Sequence, residues 1–420
     1  MIVSYSLRDL RIVLRDVGEV LRLAASAFIV PLIVSVLFLE FRTMPEVIFY
    51  YAIAGLITFL IGIILKTLFK SEDKTTFKHA FLIIVLVWLI FVGLAALPFS
   101  WILGMPFLDA YFESMSALTT TGLSIMMAPT ESSSVALLDI APLSLIFWRS
   151  FLSWVGGIGI VVLALMGLFG YYTKASKLII AEGREERLKA NLINSVREIW
   201  TIYTIMTIIG TAMLYLSGMD PFNALNYSMS AISTTGMSTT SVGLTGQNSG
   251  WLNESMHNFW VDISLIIIMA MGETSFYVHY LFRKKNYRAY FEDAEFKTLL
   301  VIGFISALFI IPKLGIENGI FYAFSAITCG GFDIVPTSIV RMWPEFVKLV
   351  LIVAMFIGGS SGSTAGGIKI SRLLIFLKSI GWKAKQVLLP KDSFFPKKFE
   401  GRNLSEEEIA EVNLFILLYT

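Results

Sequence analysis

The chain has 420 residues, of which 56% are hydrophobic and 15% are charged, and its formal net charge is +2. With a mean hydropathy of +0.75, it has too little polar surface to cover a soluble globule, so the sequence predicts an integral membrane protein. No dense basic patch is present, which argues against a nucleic-acid partner. The single cysteine and the three scattered histidines form no disulfide framework, metal-ligand spacing or hydrolytic motif. We therefore expect neither an enzyme nor a bound cofactor.

Eight apolar runs are long enough to cross a bilayer as helices, for which about 20 residues are needed. They lie near 22–40, 48–69, 80–102, 141–170, 199–217, 258–282, 298–312 with its flanks, and 345–378. The charged stretch before the first run has no small-residue cleavage site. We interpret it as an uncleaved helix that can lie on the membrane surface, and not as a signal peptide.

Lysines and arginines predict the orientation, because positive charge collects on the cytoplasmic side of a membrane. They are concentrated in four segments, as Arg8, Arg11, Arg15, Lys66, Lys70, Lys74, Lys78, Lys174, Lys177, Arg184, Arg187, Lys189, Arg197, Arg283, Lys284, Lys285 and Arg288. The stretches 103–140 and 218–255 contain none. We expect a multi-pass protein of the cytoplasmic membrane with its N-terminus inside. The outer stretches carry acidic residues that would attract cations, namely Asp109, Glu113, Glu131, Asp139, Asp220 and Glu254.

One short phrase occurs three times. It reads SALTTTGLS over Ser116–Ser124, SAISTTGMS over Ser230–Ser238 and SAITCGGFD over Ser325–Asp333. Each copy follows an apolar segment too short to span, whose helix C-terminus would present its negative dipole end to a cation. Glycine accepts positive φ, which lets successive backbone carbonyls point in one direction. The small side chains leave the pore lumen clear. Carbonyls arranged in this way can replace the hydration shell of an ion. The alternative, a turn that only links helices, is disfavoured by three aligned copies.

The copies share one orientation, with Gly122, Gly236 and Gly331 at intervals of 114 and 95 residues. Repeats that share one orientation favour a pseudo-symmetric pore around one axis. They argue against the inverted-repeat architecture of many transporters. We predict an all-α integral membrane protein in which pseudo-symmetric repeats of helix, pore half-helix, filter loop and helix surround a central ion pore. The predicted units are 1–78 (N-terminal segment and two-helix extension), 79–195 (pore repeat 1), 196–290 (pore repeat 2), 291–378 (pore repeat 3 with a gating loop) and 379–420 (cytoplasmic connector and start of an incomplete repeat 4).

The three phrases, with WRSFLSWVGGIGIVVL over Trp148–Leu163 and GGSSGSTAGGIKISR over Gly358–Arg372, resemble the TrkH/KtrB family of potassium-uptake proteins. The resemblance implies four repeats around one pore, a homodimer, and a cytosolic nucleotide-binding ring that regulates it. It also implies potassium as the transported ion, because Gly122 stands where a serine accompanies sodium preference in some eukaryotic relatives. The residues expected to bind K⁺ through backbone carbonyls are Thr119, Thr120, Thr121, Gly122, Ser233, Thr234, Thr235, Gly236, Thr328, Cys329, Gly330 and Gly331.

The chain departs from the family pattern in two places. The third phrase has Cys329 and Gly330 where the others have two threonines, a change that backbone coordination tolerates. The chain also ends at Thr420, within an apolar run that begins near Val412, without the family's fourth repeat. We expect either that the sequence is part of a longer protein or that another chain supplies the fourth wall, since a three-walled pore would expose filter backbone to lipid.

Five glycines fall within ten residues of the last long apolar run, and each costs about 1 kcal/mol relative to alanine in a helix. We predict that this stretch is a re-entrant gating loop below the filter, as the resemblance implies. Close helix packing through small residues is the alternative. The predicted gate comprises Gly358, Gly359, Ser360, Ser361, Gly362, Ser363, Thr364, Ala365, Gly366 and Gly367, with Lys369 and Arg372 anchoring its cytoplasmic end.

Three ionisable residues are predicted at membrane depth. Glu113, in the first half-helix, and Arg149, in the following span, should pair behind the filter, because a buried charge needs a partner. Glu273 stands where the family has the second glycine of a pair. It either lines the pore cavity or is a protonated or hydrogen-bonded structural residue.

Two other function classes stay open. The first is an ion-coupled cation carrier whose loops bind ions without forming a continuous pore, and a deep pair of carboxylates would favour it. The second is a non-conducting membrane partner that lacks the fourth repeat.

Overall fold

The computed structural model describes residues 6–73, 75–127, 129–130, 133–169, 185–245, 256–388 and 396–420. Some charged residues used for the orientation lie outside these ranges, namely Lys74, Glu131, Lys174, Lys177, Arg184 and Glu254. The described part is mostly helical, with α1 (Leu7–Ala24), α2 (Ile29–Leu37), α3 (Glu46–Leu68), α4 (Phe77–Ala95), α5 (Leu97–Leu103), α6 (Phe107–Leu118), α7 (Leu137–Ile140), α8 (Leu143–Phe169), α9 (Glu185–Leu216), α10 (Pro221–Ile232), α11 (Phe259–Glu273), α12 (Phe276–Arg283), α13 (Ala289–Glu292), α14 (Ala294–Leu314), α15 (Ile316–Ile327), α16 (Thr337–Arg341), α17 (Glu345–Ile357), α18 (Ile370–Leu388) and α19 (Glu406–Tyr419).

Three 3₁₀ turns and two short antiparallel strand pairs complete the described elements. The turns are Ala25–Phe28, Glu40–Arg42 and Gly243–Thr245. The strand pairs are β1 (Pro129–Thr130) with β2 (Ser133–Ala136), and β3 (Lys398–Phe399) with β4 (Arg402–Asn403).

The N-terminal stretch is part of the first candidate span and does not form a separate surface helix. Helices α1 and α2 continue each other through the 3₁₀ turn, giving one candidate span over Leu7–Leu37. Val13, Val17 and Leu21 are completely buried, and their spacing of four residues places them on one helix face. The interpretation as a surface-lying helix is therefore wrong, because this apolar face packs into the protein.

Two glycines set the distance between α1 and α3. A Cβ atom on Gly18 would lie 2.7 Å from the carbonyl oxygen of Gly62, and one on Gly62 would lie 2.7 Å from the backbone nitrogen of Arg22. Small residues allow this kind of close backbone approach between membrane helices.

In the described part, five helices are long and apolar enough to cross a membrane, or six if the bent pair α11 and α12 is one span. Two of the eight predicted runs are not single straight helices in the structure. The run 258–282 bends by 99° after Glu273, where Thr274 is extended and the Ser275 side chain caps α12. The run 345–378 is interrupted between Ile357 and Ile370, so the predicted non-helical stretch is present and a straight helix is not.

The first three residues of each phrase are the last three residues of a twelve-residue helix, α6, α10 or α15. At about 1.5 Å per residue such a helix is roughly 18 Å long, little more than half the hydrocarbon thickness. We call these three helices the half-helices. The inner helices α8, α11 and α17 follow the three phrases in chain order. Two large buried clusters surround this arrangement, one around α1, α3 and the first repeat, and one around the second and third repeats.

Substitution of Gly18 by alanine is expected to destabilise the N-terminal helix pair. The new methyl group would meet backbone atoms of α3 that cannot move independently, and overpacking of this kind costs about 1–3 kcal/mol. Thermal unfolding of the detergent-solubilised protein measures the effect. Gly381→Ala is the matched control, since a Cβ there meets no atom within 4 Å; equal melting temperatures for the two variants would contradict the packing argument.

Candidate ion pathway

The three half-helices end in the same backbone motif. Thr120 N–H donates to the carbonyl of Ala117 and Thr121 N–H to that of Ser116, at 3.1 and 2.9 Å. This is a Schellman motif, which satisfies carbonyls that a helix C-terminus otherwise leaves unpaired. In the second phrase the N–H groups of Thr234 and Thr235 donate to the carbonyls of Ala231 and Ser230. In the third phrase the N–H groups of Cys329 and Gly330 donate to the carbonyls of Ala326 and Ser325.

Each motif places a non-glycine residue in the left-handed region. Thr120, Thr234 and Cys329 have φ of 54°, 52° and 52°. A glycine two residues later has positive φ again, at 78° for Gly122, 77° for Gly236 and 67° for Gly331. Left-handed residues other than glycine cost of order 1–3 kcal/mol each and cluster at functional sites. The sequence predicted the glycines, whereas the left-handed threonines and cysteine were missed.

The three phrases approach one another through their glycines. A Cβ atom on Gly122 would lie 1.9 Å from the carbonyl oxygen of Thr235 in the second phrase. One on Gly236 would lie 2.2 Å from the carbonyl oxygen of Gly330 in the third. No side chain fits at either contact, so glycine is required for reasons beyond its φ. The structure thus brings the predicted filter residues of the three repeats together.

Glu113 and Arg149 form a buried ion pair behind the first two phrases. Arg149 Nε donates to Glu113 Oε1 at 2.6 Å, and the exposed fractions of the two side chains are 1% and 0%. Glu113 also accepts hydrogen bonds from Ser124 Oγ at 2.9 Å and from Ile125 N–H at 3.1 Å, and Arg149 Nη1 donates to the carbonyl of Ser238 at 2.7 Å. The predicted contact is present, and it connects the ends of two phrases.

Two tyrosines occupy the position of Glu113 in the other repeats. Glu113, Tyr227 and Tyr322 each stand nine residues before the glycine of their own phrase. The Tyr227 hydroxyl is hydrogen bonded to Ser238 Oγ at 2.7 Å. The Tyr322 hydroxyl accepts from the N–H groups of Ile334 and Val335 at 3.0 and 3.1 Å. Sequence analysis missed these tyrosines, although alignment of the phrases on their glycines would have revealed the common position.

Glycines of the inner helices pack against the half-helix C-termini. A Cβ on Gly156 would lie 1.9 Å from the carbonyl oxygen of Leu118, and one on Gly272 would lie 2.5 Å from that of Ile232. These contacts explain why glycines recur at this depth in the first two repeats.

The predicted gating loop lies against the second half-helix and the inner helix α11. The hydroxyl of Thr364 is 2.8 Å from the carbonyl oxygen of Ile232 and 2.9 Å from that of Gly272. The N–H of Phe276 donates to the carbonyl of Gly362 at 3.0 Å, so the loop also contacts α12. On the side of the third phrase, a Cβ on Gly366 would lie 4.0 Å from Cys329 Sγ. The loop therefore contacts the C-terminal end of the second half-helix and approaches the third phrase.

Cationic and hydroxyl groups bind the loop's own backbone. Lys369 Nζ donates to the carbonyl of Ser360 at 3.4 Å and also to that of Ala365. Ser363 Oγ donates to the carbonyl of Ser360 at 2.7 Å. Arg372 Nη1 donates to the carbonyl of Ile368 at 3.2 Å, and its guanidinium lies 4.1 Å from the ring centroid of Phe415 in α19. Lys369 thus closes the loop on itself, whereas Arg372 connects the start of α18 with α19.

The remaining gate residues approach two buried glutamates. A Cβ on Gly359 would lie 2.5 Å from Glu273 Cγ, and Ser360 N–H donates to the Glu273 carbonyl at 3.3 Å. Neither carboxylate oxygen of Glu273 has a hydrogen-bond partner among the described residues. Ser361 N–H donates to Glu295 Oε2 at 2.7 Å. Sequence analysis missed Glu295, because an acidic residue in the first turn of a helix is ordinary.

The positive-φ residues of the loop explain its shape. Gly358, Gly362 and Gly367 have φ of 67°, 72° and 77°, a region where glycine is favoured over residues with a Cβ. Gly358 and Gly367 also lie against each other, since a Cβ on Gly367 would be 2.5 Å from the Cα of Gly358.

This arrangement defines a helical membrane protein in which repeated re-entrant hairpins bring carbonyl-rich segments together. Residues 48–420 match the TrkH family model, whose description is a cation transport protein, and the chain belongs to that family. Membership confirms the family resemblance and the predictions of a membrane transporter and of a protein that is not an enzyme. The helical structure and its likeness to a solved family structure confirm the predicted fold class.

Individual relatives agree with this assignment. The chain is 32% identical over 416 residues to an uncharacterized cation transporter of Methanocaldococcus jannaschii, covering 98% of this chain and 81% of that one. It is 28% identical over 368 residues to the Trk system potassium uptake protein TrkH of Escherichia coli, covering 83% and 72%. The crystal structure of the potassium transporter TrkH from Vibrio parahaemolyticus has the same fold, with a TM-score of 0.77 at 23% identity over 97% of this chain and 82% of that one.

Replacing Arg149 by methionine is expected to prevent accumulation of folded protein. The change leaves Glu113 as an unpaired charge at a fully buried position, and breaking a buried pair costs about 3–5 kcal/mol. Size-exclusion chromatography and thermal unfolding measure the outcome.

Two variants complete the test of the ion pair. The double variant Glu113→Gln with Arg149→Met should recover part of the loss, because no lone charge is left. The control Arg341→Met removes an exposed arginine and should behave as the parent. A single variant Arg149→Met as stable as the parent would rule out the structural role of the pair.

Proposed function

We propose that this protein takes up potassium across the cytoplasmic membrane through a selectivity filter made of the backbone carbonyls of the three phrases. The observation that carries the proposal is the contact of Gly122 with the Thr235 carbonyl and of Gly236 with the Gly330 carbonyl. These contacts gather three identical backbone motifs at one place. The Escherichia coli relative is a potassium uptake protein, which supports the choice of ion.

The chemistry of the phrases favours a weakly hydrated monovalent cation. No carboxylate occurs among the twelve proposed filter residues, so coordination would come from carbonyl dipoles, as in potassium-selective filters. The three half-helices direct their C-terminal, negative dipole ends at the phrases. Divalent ions, which prefer carboxylate ligands, are less suited to such a site.

The loop over Gly358–Gly367 is proposed as the gate. Its hydroxyl and carbonyl groups bind the half-helix α10, the inner helix α11 and Lys369 through a small number of hydrogen bonds. Such bonds can be exchanged when the loop moves, and the three positive-φ glycines give the backbone the required freedom.

The proposed assembly follows the family resemblance and the charge distribution. We expect a homodimer in the cytoplasmic membrane with its N-terminus inside and a cytosolic nucleotide-binding ring as regulator. The segments rich in lysine and arginine would then face the cytoplasm.

Ion-coupled transport is a second candidate function. Glu273 and Glu295 are buried, with exposed fractions of 0% and 7%, and both contact the proposed gate. Intramembrane carboxylates such as Glu273 serve as proton relays in transporters. Proton movement that accompanies potassium uptake in liposomes and disappears in Glu273→Gln would favour this candidate; uptake independent of a proton gradient would remove it.

The protein is expected to conduct potassium and rubidium in preference to sodium. Rescue of a potassium-uptake-deficient bacterium at low potassium, followed by ion flux in liposomes, measures this selectivity. Gly122→Ser should reduce it at least tenfold, since the new side chain meets the Thr235 carbonyl. Gly104→Ser is the matched control, because Gly104 also has positive φ, at 67°, but its Cβ position is open. Equal sodium and potassium flux in the parent would refute the proposed filter.

Deletion of residues 359–365 should raise potassium flux and weaken its dependence on the cytosolic partner. Selectivity should stay nearly unchanged, because Gly122, Gly236 and Gly331 are retained. Thr364→Val is a smaller change that also tests the role of the loop as a gate, because it removes only the hydroxyl bonds to the carbonyls of Ile232 and Gly272. The control Thr204→Val removes a bond that an exposed side chain makes within its own helix, α9. A folded deletion variant with unchanged flux and regulation would mean that the loop only packs helices.

A further inference from the structure

We propose that His257, Asp262 and Glu317 form a binding site for a divalent transition-metal ion of the zinc class at the end of the molecule predicted to face outward. His257 Nε2 lies 3.0 Å from Asp262 Oδ2 and 3.7 Å from Glu317 Oε1. The three ligand atoms all lie within 4.8 Å of one another. They form the one such group of three or more found among the described residues.

These separations suit a single small ion. Zinc binds imidazole nitrogen and carboxylate oxygen at about 2.0–2.2 Å, so tetrahedral ligand atoms stand roughly 3.3–3.6 Å apart. The two measured separations from His257 lie on either side of that range. Three protein ligands leave a fourth position for water, as in many open zinc sites.

The burial of Asp262 is an independent indication of a ligand. The residue is 3% exposed, and its Oδ1 atom has no hydrogen-bond partner among the described residues. A buried carboxylate oxygen without a partner is costly. The side chain of His257 is 24% exposed and that of Glu317 is 49% exposed, so an ion could enter from the surface and meet a preformed, buried anchor.

The donor set selects the class of metal. Magnesium and calcium prefer sites made wholly of oxygen, whereas an imidazole nitrogen with carboxylates suits zinc and neighbouring transition metals. Glu317 lies 55 residues after Asp262 in the chain. Sequence spacing could not reveal this cluster, because the fold alone brings the two carboxylates together.

The location gives the site a mechanical consequence. Asp262 is in the first turn of the inner helix α11, and Glu317 is in the first turn of the half-helix α15. A bound ion would tie the inner helix of the second repeat to the half-helix that leads into the third phrase. The site would thus restrain a half-helix from the end opposite its phrase.

The test measures zinc binding by the full chain in lipid nanodiscs, by competition with a chromophoric chelator. We expect one zinc ion per chain, bound at least tenfold more weakly by Glu317→Gln and by His257→Gln. Glu345→Gln is the matched control, since Glu345 is also an exposed carboxylate in the first turn of a half-buried helix, with an exposed fraction of 88%. It should bind zinc as the parent does.

Thermal unfolding gives a second readout that does not depend on transport. Zinc should raise the melting temperature of the parent and of Glu345→Gln but not that of Glu317→Gln, because a ligand of the folded state stabilises it. Glu317 is half exposed, so its variant is expected to fold even if His257→Gln does not. Absence of stoichiometric zinc binding by the parent, or equal binding by the parent and Glu317→Gln, would overturn the proposal. Displacement of zinc by excess magnesium or calcium would overturn the assigned metal class.

Discussion

The close approach of one backbone to another is the constraint on which the rest of this structure depends. In a bilayer, non-helical backbone is tolerated only where protein or a water-filled cavity surrounds it. The three phrases meet this condition by packing on one another, and their contact is so tight that a Cβ on Gly122 would lie 1.9 Å from a neighbouring carbonyl oxygen. The half-helices, the inner-helix glycines and the bracing side chains all serve to hold that contact.

Bracing is achieved with different chemistry in the three repeats. The first repeat uses the Glu113 carboxylate and the Arg149 guanidinium, and the other two use the hydroxyls of Tyr227 and Tyr322. A buried ion pair has a desolvation cost that its mutual attraction offsets only when further hydrogen bonds satisfy both groups. Ser124, Ile125 and the Ser238 carbonyl provide such bonds, and Arg149 Nη2 is left without a partner among the described residues. The neutral hydroxyls of Tyr227 and Tyr322 hold their phrases without the desolvation cost of a buried charge. The ion pair and the tyrosines thus meet the same geometric requirement with different chemistry.

Sequence reasoning succeeded where a local pattern has one physical meaning. The repeated phrase predicted the glycines with positive φ, five clustered glycines predicted the break before Ile370, and two charges at membrane depth predicted the pair Glu113 and Arg149. It failed where the partner lies elsewhere in the fold. The burial of α1 involves α3, and the bend after Glu273 is in contact with the loop that follows α17. Glu295 has no distinguishing sequence pattern, and its role is visible only from the hydrogen bond with Ser361.

Arg149 belongs to the first repeat but binds the Ser238 carbonyl of the second, and Gly122 likewise abuts the second phrase, which in turn abuts the third. The repeats are therefore linked in a fixed order around the axis, each shaped by its neighbour. A chimera that exchanges a single repeat with a relative would combine surfaces that did not arise together. An exchange cut through the middle of two neighbouring repeats, which keeps each phrase with the residues that abut it, is the better unit for recombination.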